Sequence, residues 1–183
     1  NAGMAMAAIA IGTQQATNAL FLYLILFTIT NFGAFGMLWL NRGKEFKDYE
    51  SPYTFVKFSG LAQISPFTAS ILALFLFALS GLPPFALFWG KMYLISSAVN
   101  SGHIALAIIM VLNSVIAAYY YLRPISYMFL RDVEQGANTE FMQNATTPTK
   151  SIVGFAVFLT IIAVLLIDPL LNIISTLVSN SGF

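Results

Sequence analysis

Leu79-Ser80-Gly81-Leu82-Pro83-Pro84-Phe85-Ala86-Leu87-Phe88-Trp89-Gly90-Lys91-Met92-Tyr93 places one lysine inside an apolar run that is otherwise free of charge from Phe67 to Val99. Pro83 and Pro84 lack backbone N–H groups, so a helix arriving from Phe67 must turn or break at them. A lysine at mid-bilayer depth costs about 2.5 to 3.5 kcal/mol on insertion scales, and it calls for a partner, a wet cavity or a task. As one straight helix, Phe67 to Val99 would be roughly 50 Å long, against a hydrocarbon core of about 30 Å. Two spans meeting at the prolines, about 66–82 and 84–99, are the expected arrangement, with Lys91 halfway along the second. In the other reading the prolines break a single crossing, and Lys91 still lies beside an unwound segment, where transporters place ion sites.

The rest of the chain agrees that the solvent is lipid. Of 183 residues, 58% are hydrophobic and only 8% charged, and the mean hydropathy is +0.82. Soluble chains carry roughly 25% charged residues. The expected fold is all-α, a polytopic transmembrane helix bundle forming a single membrane domain over 1–183. The net charge of +1 gives no reason to expect a nucleic-acid partner. With no cysteine and His103 as the one histidine, the chain has no ligand set for an iron–sulfur cluster, a haem pair or a thiolate zinc site. No cofactor or metal is therefore expected on this polypeptide.

Reading outward, Gly3 to Ile11 is apolar but short, and Gly12-Thr13-Gln14-Gln15 stops it. It reads as the tail of a crossing, about 1–13, in a fragment of a longer protein. The first complete span is about 17–40. Asn31 and Thr30 lie near its centre, followed by Gly33, Ala34 and Gly36, small residues that permit close helix contact. Asn31 is either the donor of an interhelical hydrogen bond or part of a polar wall. Asn41 to Gln63 gathers Arg42, Lys44, Glu45, Lys47, Asp48, Glu50 and Lys57 around Ser51-Pro52 and reads as a solvated loop. After Asn100-Ser101-Gly102-His103, a span of about 104–130 carries Asn113, Ser114, Tyr119, Tyr120, Tyr121 and Arg123.

Positions 113, 117, 120, 121 and 124 share a helix face at three-and-four spacing. That face serves as a proton path or as an aromatic belt with Arg123 snorkelling to the headgroups. Arg131 to Lys150 reads as a second polar loop. The last span, about 152–178, contains Asp168-Pro169, expected as an interfacial carboxylate at a kink. Arg and Lys divide almost evenly between alternate loops, four in Asn41 to Gln63 against Arg123, Arg131 and Lys150, so the positive-inside rule does not orient the chain.

Four segments carry a resemblance: Asn31-Phe32-Gly33-Ala34-Phe35-Gly36, Leu79 to Pro84, Phe88-Trp89-Gly90-Lys91-Met92-Tyr93, and Leu112-Asn113-Ser114 through Tyr119-Tyr120-Tyr121-Leu122-Arg123. In order and spacing this chain resembles the C-terminal part of the subunit N family of the proton-pumping NADH-quinone oxidoreductases, respiratory complex I. The resemblance implies the second inverted repeat of an antiporter-like subunit, with Lys91 as the proton-loading lysine of a helix broken at Pro83 and Pro84. It implies a non-redox subunit of a translocase in a bacterial inner membrane, partnered by a neighbouring antiporter-like subunit and small membrane subunits. NADH, flavin, iron–sulfur clusters and quinone would belong to other subunits. A glutamate and two lysines of the first repeat would precede Asn1. The 41–63 loop would face the periplasm and the 131–150 loop the cytoplasm.

Among these residues, Lys91 is the candidate for proton loading, and Asn31, Asn113, Ser114, Tyr120 and Tyr121 are the candidates for a path. The alternatives are a subunit of a multisubunit sodium/proton antiporter or membrane-bound hydrogenase, in which the same lysine would serve, and a purely structural membrane bundle.

Overall fold

Thr13 sets the start of one of the two longest helices by accepting the Ala16 N–H on its hydroxyl (3.3 Å), an N-terminal cap on a chain that has just turned at Gly12 with φ +66°. The computed structural model describes residues 1–40, 55–134 and 147–181. Helix α1 is Ala2–Ile11 and α2 is Gln14–Leu40. A 3-10 turn at Phe55–Phe58 leads to α3, Leu61–Ile64. Helix α4 is Pro66–Ser80, α5 Ala86–Asn100, α6 Ile104–Leu130, α7 Thr147–Ile162 and α8 Ile167–Asn180. The described residues contain no strand. At 27 residues each, α2 and α6 are about 40 Å long, enough to cross a bilayer with tilt.

The register of contacts along α2 corrects the expectation of two spans at 66–82 and 84–99. Asn100, ending α5, donates from Nδ2 to Oε1 of Gln15 at the start of α2 (3.2 Å). Further along α2, the backbone of Tyr23 lies against Gly90, where an added Cβ would meet the Tyr23 Cα at 3.4 Å. Further still, Gly33 faces the ring of Phe75 in α4. As α2 rises from 15 to 33, its neighbour descends from 100 to 75. Helices α4 and α5 therefore run end to end as one crossing, antiparallel to α2 and broken at residues 81–85. Fifteen residues give each half only about 22 Å. The length argument failed because it treated the unwound segment as a turn back to the surface. Gly33 admits the Phe75 ring, as expected of the small residues on α2, and Gly90 in addition lets α5 approach α2 beside Lys91.

The same register corrects the loop assignment drawn from the resemblance. Gly60 donates its N–H to the carbonyl of Tyr127 (3.1 Å), and Gln63 Nε2 donates to Asp132 (3.3 Å). The ends of the 41–63 and 131–150 segments thus meet on one side of the bundle, because a single broken crossing shifts the parity of every later element. Residues 41–54 and 135–146, which carry Arg42, Lys44 and Glu140 among others, lie outside the described residues.

The expected last span of 152–178 is two helices. Helices α7 and α8 are set 86° apart. Tight turns close the break, with Leu165 N–H donating to Ile162 and Leu166 N–H to Ala163. Pro169 has no N–H to offer the Leu165 carbonyl, so the α7 ladder cannot continue through it. Asp168 sits exposed in the first turn of α8, where a carboxylate complements the helix dipole. Both helices pack on α2, with Val153 near Gly36.

Candidate functional site

The end of α4 leaves four carbonyls without donors from its own ladder, and each finds a partner. The Phe77 carbonyl accepts the Ser80 hydroxyl (2.6 Å). Ala78 accepts the N–H of Gly81 (3.1 Å). The Leu79 and Ser80 carbonyls accept the ammonium of Lys91, at 3.3 and 3.1 Å. Lys91 is thus the C-terminal cap of α4, reaching back across the break from the second turn of α5. Gly81 makes this possible in two ways. Its φ of +81° ends the helix, and a Cβ there would stand 2.8 Å from Nζ.

The electrostatics follow from burial and helix polarity. Lys91 is 4% exposed, and no carboxylate pairs with it among the described residues. Its positive charge rests on two carbonyl dipoles and on the negative end of α4. An ammonium has three donors, and two of them are used here. A cation held by neutral dipoles can lose a proton without stranding a carboxylate. In a low-dielectric setting it also responds to charge at a distance.

Around this point the structure sorts the path candidates. Thr30 and Asn31 stand between Leu26, which meets Gly90, and Gly33, which meets Phe75, so both lie at the height of the break. Thr30 spends its hydroxyl on the Leu26 carbonyl (2.9 Å), and Asn31 is half-buried. On α6 the inward face runs through Ala107, Met110, Ile125 and Met128. Ser114 and Tyr121 continue that face. Ser114 donates to the Met110 carbonyl (3.0 Å) and touches Met4 Sδ (3.8 Å). Tyr121 accepts Asn1 Nδ2 on its hydroxyl (2.9 Å). Asn113 and Tyr120, one residue off this row, are exposed on the outer surface of the described fold. The five positions expected to share one face are therefore divided between two.

Tyr23 escaped the sequence reading. It is 1% exposed and packs on Gly90 beside Lys91. Its hydroxyl is buried with no hydrogen-bond partner among the described residues. The available signal was its spacing: Tyr23, Leu26, Thr30 and Gly33 follow the three-and-four rule toward the break.

Comparison with known proteins adds a family to this geometry. A family model described as NADH:quinone oxidoreductase/Mrp antiporter, TM, matches residues 1–117. NADH-quinone oxidoreductase subunit N of Sulfurimonas denitrificans is 50% identical over all of this chain and 37% of its own length. The protein of the same name from Sulfurovum sp. is 45% identical over the same shares. The chain thus spans about 37% of the length of these curated relatives. Among solved structures, a chain of respiratory complex I from Thermus thermophilus with bound aureothin matches 88% of this chain with a TM-score of 0.66 at 23% identity, over 36% of its own length. That last likeness is one of fold.

Proposed function

Because the chain belongs to the NADH:quinone oxidoreductase/Mrp antiporter membrane family, we propose that it forms the lysine-bearing second repeat of a proton-translocating subunit in a respiratory NADH-quinone oxidoreductase. The observation that carries this reading is the Lys91 ammonium on the Leu79 and Ser80 carbonyls at a mid-membrane helix break. A change of charge nearby alters the balance between the protonated and neutral lysine. In the protonated state Nζ caps α4. On release, the proton leaves through the third donor position to water, and passes toward Tyr23 and Tyr121 on one side and toward Asn31 on the other. Asn113, Ser114 and Tyr120 complete the candidate path only where water reaches them. The family description also covers the Mrp antiporters, and the names of the relatives favour the respiratory complex.

The redox chemistry with NADH, flavin, iron–sulfur clusters and quinone belongs in this reading to other subunits. The neighbouring antiporter-like subunit and small membrane subunits are the partners. The membrane is a bacterial inner membrane, as the bacterial relatives favour. Its orientation follows from charge. Lys57, Arg123, Arg131 and Lys150 stand at the end where Gly60 meets Tyr127, and the described residues at the opposite end hold no Arg or Lys. By the positive-inside rule the charged end is cytoplasmic.

The test compares Lys91→Met and Lys91→Arg in the full-length protein within its complex, with assembly followed on native gels. Arginine keeps a cation at the cap and does not deprotonate. Loss of pumping in both variants, with the complex assembled, supports proton loading. Pumping at the parental rate in Lys91→Arg reduces the lysine to a structural cap and overturns the proposal.

A further inference from the structure

At the charged end of the bundle, α2, α4, α6 and the 3-10 turn leave a cavity of about 400 Å³, lined by Phe35, Leu38, Phe55, Leu72, Leu76 and Pro124 among others. Its lining residues Leu72 and Leu76 stand on α4 about two turns and one turn before the carbonyls that hold Lys91. Its lining is almost entirely hydrocarbon, so water inside would lack the two to four polar partners that ordered water requires. Phe35 is 62% exposed, which opens the mouth onto the outer face of α2. A hydrocarbon chain satisfies such a space and water does not.

The rim has a different character. Arg123 precedes the lining residue Pro124, and its guanidinium lies 4.7 Å from the ring centroid of Phe55, another lining residue. Lys57 belongs to the same 3-10 turn as Phe55. Arg123 is exposed, and no carboxylate pairs with it among the described residues. Stacking on Phe55 occupies one face of the guanidinium and leaves the N–H fork at its edge, a geometry that suits a phosphate. An apolar slot with a cation at its mouth is complementary to a molecule that joins hydrocarbon to an anion.

We propose that this cavity seats one acyl chain of an anionic phospholipid whose phosphate is held at the Arg123 edge.

The test places the full-length protein, in its complex, in nanodiscs doped with phosphatidylglycerol or phosphatidylcholine carrying a photoreactive acyl chain. Labelling is expected at peptides containing Leu38 and Leu72, and phosphatidylglycerol is preferred about fivefold, the preference one basic side chain supplies at an anionic surface. Arg123→Gln, on an exposed residue, should bring the two lipids close to parity while labelling persists. Leu76→Trp should fill the slot and abolish labelling at Leu38. The proposal is overturned if the label falls equally on outward residues such as Ile108 and Val115, if the parent does not distinguish the two lipids, or if the cavity peptides cross-link instead to another subunit.

Discussion

Gly81 stands so close to Lys91 that a single methyl group at Gly81 would lie 2.8 Å from the ammonium. The helix break and the lysine are therefore one device. Remove the glycine's φ of +81° and α4 does not end where its carbonyls can accept the charge.

Gly81→Ala should separate from a matched control. Gly102 has a similar φ of +78° but open space around its Cβ position. Both alanine variants carry the left-handed penalty of about 1–2 kcal/mol, read as comparable losses of thermal stability in the full-length protein. Only Gly81→Ala should also slow proton pumping, because only there must the ammonium move. Equal pumping in the two variants would show that the contact at Gly81 has no functional weight.

Gly33→Ala should destabilise more than Gly36→Ala. A Cβ at Gly33 would collide with the ring of Phe75, which is 0% exposed and cannot swing away. At Gly36 the nearest atom is Val153 Cγ2 at 3.8 Å, an ordinary contact. Overpacking of this kind costs about 1–3 kcal/mol, and Phe75→Leu in the Gly33→Ala background should recover part of it. A double-mutant cycle by thermal unfolding of the purified complex measures the coupling. Additive effects would remove the register on which the single broken crossing rests.

Tyr23→Phe is expected to lose stability, by about 0.5–1.5 kcal/mol, the usual net value of one hydrogen bond. Native proteins seldom leave a buried hydroxyl unpaired, so a partner for the Tyr23 hydroxyl is the expectation that this variant tests. Tyr121→Phe, which breaks the bond from Asn1, should slow pumping, whereas Tyr120→Phe on the outer surface should leave it unchanged. Greater stability in Tyr23→Phe would mean that its hydroxyl is dry, and equal rates in the two α6 variants would remove the inward face as a route.

The loop topology is open to cysteine labelling, since this chain contains no cysteine of its own. Lys57→Cys and Asp132→Cys should both react with a membrane-impermeant maleimide from the cytoplasmic side, and Ser101→Cys from the opposite side. Labelling of 57 and 132 from different sides would restore two full crossings between Pro66 and Asn100.

Much was legible without coordinates. Thr17 to Leu40 and Ile104 to Leu130 were readable as crossings because uncharged length is a local property that lipid selects directly. Pro83, Pro84 and the lone Lys91 marked the place of interest for the same reason: each violates a local rule, one of backbone bonding and one of burial. Those features, with the four motifs of the resemblance, determined that this is an all-helical membrane protein organised around one lysine.

What only the tertiary structure decided is how the halves are joined. Whether a proline break turns the chain back or lets it continue depends on what covers the exposed carbonyls. Here the answer is a side chain eleven and twelve residues further on, Lys91 reaching Ser80 and Leu79. That choice set the parity of every later loop and brought Lys57, Arg123, Arg131 and Lys150 to one end. The inward face of α6 was hidden for a related reason. Spacing on a helix gives rows of residues, but which row meets α1 depends on the rotation of the whole helix, and that is set by packing against neighbours distant in the chain.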